Sequence, residues 1–211
     1  MKTIEERSNP YFANTHAKDV TGGSSKGEKR IPGELGIWFF IFGDMLMFAA
    51  LFGVFLHDRS SNLLIFNLSQ ENLHGFYGFV NTLILLSSSI CVVLAIRAMR
   101  HEMRANASFL ILMAIGCGLS FACIKCFEYS EKISSGILLT TNLFWTYYYV
   151  ITGVHLFHLL IGLGVLSFCY MQARQGRLSV ERLRLVEGGA CFWHMVDLLW
   201  IVIFPLLYLV R

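Results

Sequence analysis

Five polar residues lie inside apolar stretches that ought to exclude them: Asp44, His155, His158, His194 and Asp197. An aspartate at the centre of a bilayer costs about 2.5–3.5 kcal/mol on insertion scales. His155 and His158 are three residues apart, as are His194 and Asp197, so on helices each pair shares one face. Grouped, the five would form a hydrogen-bonded layer inside a membrane, able to hold or pass protons. The plainer alternative is polar glue between helices, with Asp44 protonated or paired. Ligation is a third option. A bis-histidine haem needs two imidazoles facing each other, and His155 or His158 opposite His194 could supply one such pair. A zinc or copper site would use three or four ligands.

Other candidates carry less chemistry. Lys125 and Glu128 are i,i+3 neighbours and read as an ion pair snorkelling to the outer membrane interface, in contact with lipid. Glu187 stands at the entry to the last apolar run, where an acid suits a helix N-terminus. Cys123 and Cys126 spell C-x-x-C, but inside an apolar run, where buried cysteine acts as a small hydrophobe. There is no Gly-rich phosphate loop and no Ser/His/Asp set with workable spacing.

The elements that must position these residues are apolar helices. Of the 211 residues 55% are hydrophobic and only 15% charged, with a mean hydropathy of +0.59. A typical soluble domain carries roughly 25% charge. Ten of the charged residues fall in the first 30 positions. A soluble globular domain, a disordered chain and a nucleic-acid binder are therefore excluded, and the net charge of +3 is too small for polyanion binding. All six cysteines lie in apolar runs, which argues against a disulfide framework.

A spanning helix needs about 20 mostly apolar residues. Residues 75–96, 105–124 and 133–173 contain no Asp, Glu, Lys or Arg. The run 35–56 is broken only by Asp44, and 188–210 only by Asp197. The expected fold is an all-α membrane protein, a five-transmembrane-helix bundle with helices near 33–56, 76–98, 106–129, 143–173 and 188–210. At 1.5 Å per residue, Asp44 would lie about 16 Å deep and Asp197 about 14 Å, near the level of the three histidines. Residues 1–31 read as a flexible tail and 32–211 as the membrane domain.

Thirteen Lys and Arg fall in the tail and in the 97–104 and 174–184 connections, against Arg59, Lys132 and Arg211 on the other side, with Lys125 inside a span. The positive-inside rule then puts the N-terminus in the cytoplasm and the C-terminus in the periplasm. Trp145, Tyr147, Tyr148 and Tyr149 read as an interfacial aromatic belt. Ala49/Gly53 and Gly118/Ala122 are small pairs four apart, with Gly153, Gly162 and Gly164 beside them, and such residues let helices approach closely.

Several strings resemble a known family. They are GELGIWFFIFGDMLMFAALF, VNTLILLSSS, FEYSEKISSG, YYVITGVHLFHLLIGLG and EGGACFWHMVDLLWIVIFPLLYL, in this order. The most specific elements are T-G-x-H-x-x-H-x-x-x-G and W-H-x-V-D-x-x-W. Over about 32–211 the chain resembles subunit III of the haem–copper oxidases. It lacks the two extra N-terminal helices of the seven-helix mitochondrial type. Asp44 after Gly43 stands where that type has Glu, usually after Ser. The five-helix forms are quinol oxidase subunit III and the NorE-type accessory protein of nitric oxide reductase. The opening and closing strings look most like the NorE type.

The resemblance implies a non-catalytic subunit with no redox centre or metal of its own, holding ordered phospholipid. Its partners would be membrane lipids and a haem-containing catalytic membrane subunit, in a bacterial cytoplasmic (inner) membrane. Asp44 matches the family's mid-membrane carboxylate, and Glu128, His155 and His158 match its acid and histidines. The expected function is support of nitric oxide reductase in denitrification. The alternative is subunit III of a quinol or cytochrome c oxidase in aerobic respiration. A reading of another class is an autonomous small transporter or b-type cytochrome.

Overall fold

The computed structural model describes residues 35–101, 103–175 and 179–210, and the expected tail 1–31 lies outside them. Among the described residues all regular structure is helical. The order is α1 (Leu35–Ser61), α2 (Leu63–Gln70), α3 (Gly75–Arg100), α4 (Arg104–Ser134), α5 (Leu143–Arg174) and α6 (Val180–Phe204), and α6 runs into one wide π turn at Pro205–Leu209. Five helices are long and apolar enough to span a membrane: α1, α3, α4, α5 and α6 with its π turn. Helices suit such a solvent because they satisfy their own backbone groups.

The helices depart from the sequence expectation: α1 runs on to Ser61 and α4 to Ser134, a further short helix appears, and the last helix starts early. The eight-residue α2 is an addition, buried through Phe66, Ser69 and Gln70. The last helix starts at Val180 rather than near 188, with Ser179 as N-cap accepting from Arg182 N at 3.3 Å. The charged segment 180–187 is thus helix, not loop. Glu187 sits two turns inside α6 rather than at its N-terminus, and Glu181 is the acid of the first turn. The Arg100 guanidinium donates to Glu187 Oε1 at 2.8 and 3.2 Å, joining α3 to α6.

The central element is α6. In its most apolar window 61% is buried inside the protein, against 11% for α1, which lies at the edge. Trp193 shows how α6 is held. Its Nε1 donates to Ser88 Oγ on α3 at 3.0 Å. A Cβ on Gly162 of α5 would lie 2.8 Å from the indole, and one on Gly118 of α4 would lie 2.9 Å from it. The ring fits between α4 and α5 because both positions lack a side chain. Gly53 and Gly153 have nothing within 4 Å, so they are not close-approach points in this chain.

The end of α6 is shaped by Pro205, which has no N–H to donate and so breaks the helical ladder. Val210 N closes the wide turn onto Pro205 O at 2.9 Å. Gln70 of α2 donates to Leu207 O at 3.0 Å. Asn142, the N-cap of α5, accepts from Trp145 N and donates to Ser69 at 2.9 Å. The short α2 therefore ties the ends of α5 and α6 together.

The aromatic-belt expectation is corrected here. Trp145 and Tyr148 are buried, and Tyr147 and Tyr149 half-buried. Tyr148 packs edge-on against Trp145, Tyr149 and Tyr129, Trp145 edge-on against Phe144, and Tyr149 lies tilted against Tyr129. This segment faces the bundle because the Asn142 cap and α2 fix its rotation.

Candidate functional site

The five intramembrane candidates separate into three groups. The first is Asp44 on α1 with His158 on α5. Asp44 Oδ2 lies 3.1 Å from His158 Nε2, close enough to interact but short of ideal hydrogen-bond alignment. His158 Nδ1 lies 2.8 Å from Val154 O, one turn back on its own helix. A carbonyl can only accept, so Nδ1 carries a proton. Facing Asp44, Nε2 is then an acceptor in the neutral ring or a donor in the imidazolium. Either a neutral acid donates to Nε2, or an imidazolium pairs with a carboxylate. The pair is neutral overall in both forms, which removes most of the cost of an isolated charge. Phe48 packs edge-on against the imidazole at 5.5 Å. Of the Asp44 side chain 12% remains exposed, so the acid is reachable from outside the bundle.

The second group is Ser89 on α3 with His194 and Asp197 on α6. Ser89 Oγ lies 2.6 Å from His194 Nδ1 and faces Asp197. Asp197 is buried, and neither of its oxygens has a well-aligned hydrogen bond. The third is His155, fully buried with both nitrogens unpartnered. It lies against the Trp200 ring at 5.3 Å and edge-on to Phe121 at 5.6 Å. Of the four groups expected to pair with Asp44, His158 does so. Spacing along a span carries depth but not the bearing of a residue around its helix.

Each imidazole thus has a different neighbour: a carboxyl, a serine hydroxyl and two aromatic rings. Among the described residues no group of three or more His, Cys, Asp or Glu is arranged to hold a metal ion. Cys123 and Cys126 both face outward on α4.

Lys125 and Glu128 depart most from expectation. They form the expected i,i+3 pair at 2.9 Å, but their side chains are 2% and 0% exposed. They do not snorkel. Tyr208, from the π turn, accepts from Lys125 Nζ at 2.8 Å and donates to Glu128 Oε1 at 2.6 Å. The ammonium also sits over the rings of Trp200, Tyr148 and Tyr208 at 4.9–5.3 Å. This closed triangle in an aromatic cage satisfies both charges without water. A cleft of about 470 Å³, lined by Tyr77, Phe127 and Glu131 among others, reaches the Glu128 side.

Residues 16–210 match the family described as Cytochrome c oxidase subunit III. The chain is similar to cytochrome bo(3) ubiquinol oxidase subunit 3 of Buchnera aphidicola subsp. Schizaphis graminum (strain Sg), with 32% identity over 182 residues, 82% of this chain and 92% of the relative. It is similar to cytochrome c oxidase subunit 3 of Bacillus sp. (strain PS3), with 28% identity over 83% of this chain and 84% of the relative. Against quinol oxidase subunit 3 of Bacillus subtilis (strain 168), identity is 26% over 83% and 85%. With a family match across nearly its whole length, five spans, and most of the T-G-x-H-x-x-H and W-H-x-V-D-x-x-W strings buried in the bundle, the chain belongs to the cytochrome c oxidase subunit III family.

Proposed function

We propose that this chain is the non-catalytic subunit III of a haem–copper quinol or cytochrome c oxidase, seated beside the haem-containing catalytic subunit in a bacterial cytoplasmic membrane with its N-terminus in the cytoplasm. The observation that carries the reading is the Asp44–His158 pair. It sets a carboxyl beside an imidazole at mid-depth on the edge helix, open on one side to a neighbour. A group so placed can tune proton access of an adjoining subunit without touching substrate. The names of the relatives favour an oxidase partner. The b-type cytochrome reading gains no support from imidazoles whose neighbours are a carboxyl, a hydroxyl and aromatic rings.

Ordered phospholipid belongs to the same proposal. An apolar groove of about 390 Å³ runs between α1, α5 and α6, lined by Phe40, Ile161, Val165 and Phe192 among others. Phe40 is one turn from Asp44 and Ile161 one turn from His158. An acyl chain in the groove would close the approach to the pair from that end.

A second reading, a nitric oxide reductase partner, is favoured by the opening and closing strings alone. Purification of a tagged chain in mild detergent tests both. A co-purifying haem–copper subunit that reduces oxygen supports the first reading. One that reduces nitric oxide selects the second, and absence of any haem protein overturns both.

A further inference from the structure

Ser89 and His194 form a hydrogen-bonded pair at the surface of the bundle, both half-buried, with 2.6 Å between Ser89 Oγ and His194 Nδ1. Their depth is unusual for an exposed polar pair. Ser89 is fourteen residues into α3, and His194 fourteen residues into α6. At 1.5 Å per residue each lies at least about 16 Å from either end of its span. The surroundings are apolar. Leu86 and Val93 share the face of Ser89, Leu198 and Ile201 share that of His194, and all four are exposed. Behind the pair, buried Asp197 has neither oxygen well bonded. His194 Nε2 makes no hydrogen bond to another described residue.

Lipid tails offer an imidazole no partner, and headgroups do not reach this depth. Polar side chains in such positions join helices. We propose that the α3–α6 strip centred on Ser89 and His194 docks a transmembrane helix of the catalytic subunit, which presents a hydrogen-bonding side chain to His194 Nε2. The inference rests on the accessory-subunit reading above and adds the face used. A heteromeric occupant is chosen over a second copy because the relatives are named as subunits of larger oxidases. The exposed Leu86, Val93, Leu198 and Ile201 supply the apolar contact around the polar centre.

The test is photo-crosslinking in intact membranes, with p-benzoylphenylalanine placed at Leu198 and, as a control, at Leu160. Leu160 is equally open but lies on α5, which packs on another flank of α6. The expected result is an adduct between the chain and the haem-containing subunit from position 198 and none from 160. In parallel, His194→Phe should weaken co-purification about three- to tenfold without lowering abundance of the chain. An adduct from 198 only with lipid or a second copy, or a haem-subunit adduct from 160 alone, overturns the docking face while leaving the accessory role intact. Failure of the unsubstituted chain to retain any haem protein overturns both.

Discussion

Asp44 Oδ2 stands 3.1 Å from His158 Nε2, and the other ring nitrogen of His158 is committed to Val154 O. With Nδ1 already a donor, His158 is a neutral acceptor toward a protonated Asp44 or a cation toward an ionised one. The pair joins α1 to α5 at mid-span, as the hydrogen bond from Tyr147 to Asp58 joins them nearer the end of α1.

Removing one member of this pair should cost more than removing both. Asp44→Leu leaves Nε2 without a partner, at about 1–3 kcal/mol. His158→Phe strands the acid in the same way. Asp44→Leu/His158→Phe should recover part of the loss, because nothing is then orphaned. Unfolding of the purified chain by SDS in mixed micelles reads all three, and strictly additive losses would exclude the pairing.

Lys125→Met should be among the most damaging single changes. It leaves Glu128 enclosed with Tyr208 as its remaining hydrogen-bond partner among the described residues, and breaking a buried pair from one side costs about 3–5 kcal/mol. The triple variant Lys125→Met/Glu128→Leu/Tyr208→Phe should be closer to wild type. Membrane abundance and the SDS midpoint measure this. Equal losses in the single and triple variants would show that the triangle is not a closed unit.

The indole slot predicts opposite outcomes for two glycines on one helix. Gly162→Ala drives a methyl to within 2.8 Å of Trp193 and should destabilise by about 1–3 kcal/mol. Gly153→Ala meets nothing within 4 Å and should stay within about 0.5 kcal/mol of wild type. The comparison is made by SDS midpoint, and similar values for the two would contradict the packing.

The five spans were legible because an apolar run of the right length has few alternatives. What escaped was set by contacts between runs. The pairing of Lys125 with Glu128 is visible in the spacing, but their burial depends on Tyr148, Trp200 and Tyr208, which lie 20 to 83 residues away. On a helix ending near 129 the pair would fall at the surface, whereas α4 continues to Ser134. The start of α6 was missed because a search for apolar residues stops at Arg182 and Arg184, and Ser179 as an N-cap was the available signal. The helix α2 is too short to register as a span, although Phe66, Ser69 and Gln70 fall on one helical face. Which histidine meets Asp44 needed the rotation of α1 against α5, which periodicity alone does not supply.

Orientation follows from charge and is open to direct test. Reporter fusions after Arg100, Gly136 and Arg211 should read cytoplasmic, periplasmic and periplasmic, given thirteen basic residues on one side against three on the other. A fusion after Arg211 active only in the cytoplasm would reverse the assignment and put the Arg100–Glu187 end of the bundle outside.

The central claim is that the Asp44 proton supports turnover of a neighbouring catalytic subunit without being part of its chemistry. Asp44→Asn isolates it. The amide can still donate to His158 Nε2, so the bundle keeps its pairing, but it cannot release a proton. The measurement is oxygen and nitric oxide consumption by membranes carrying the variant, at equal abundance of the chain and equal haem content. The account predicts a clear loss of rate of less than about tenfold, under about 1.4 kcal/mol of barrier. A wild-type rate would reduce the pair to structural glue, and complete loss with an intact complex would make Asp44 part of the catalytic machinery.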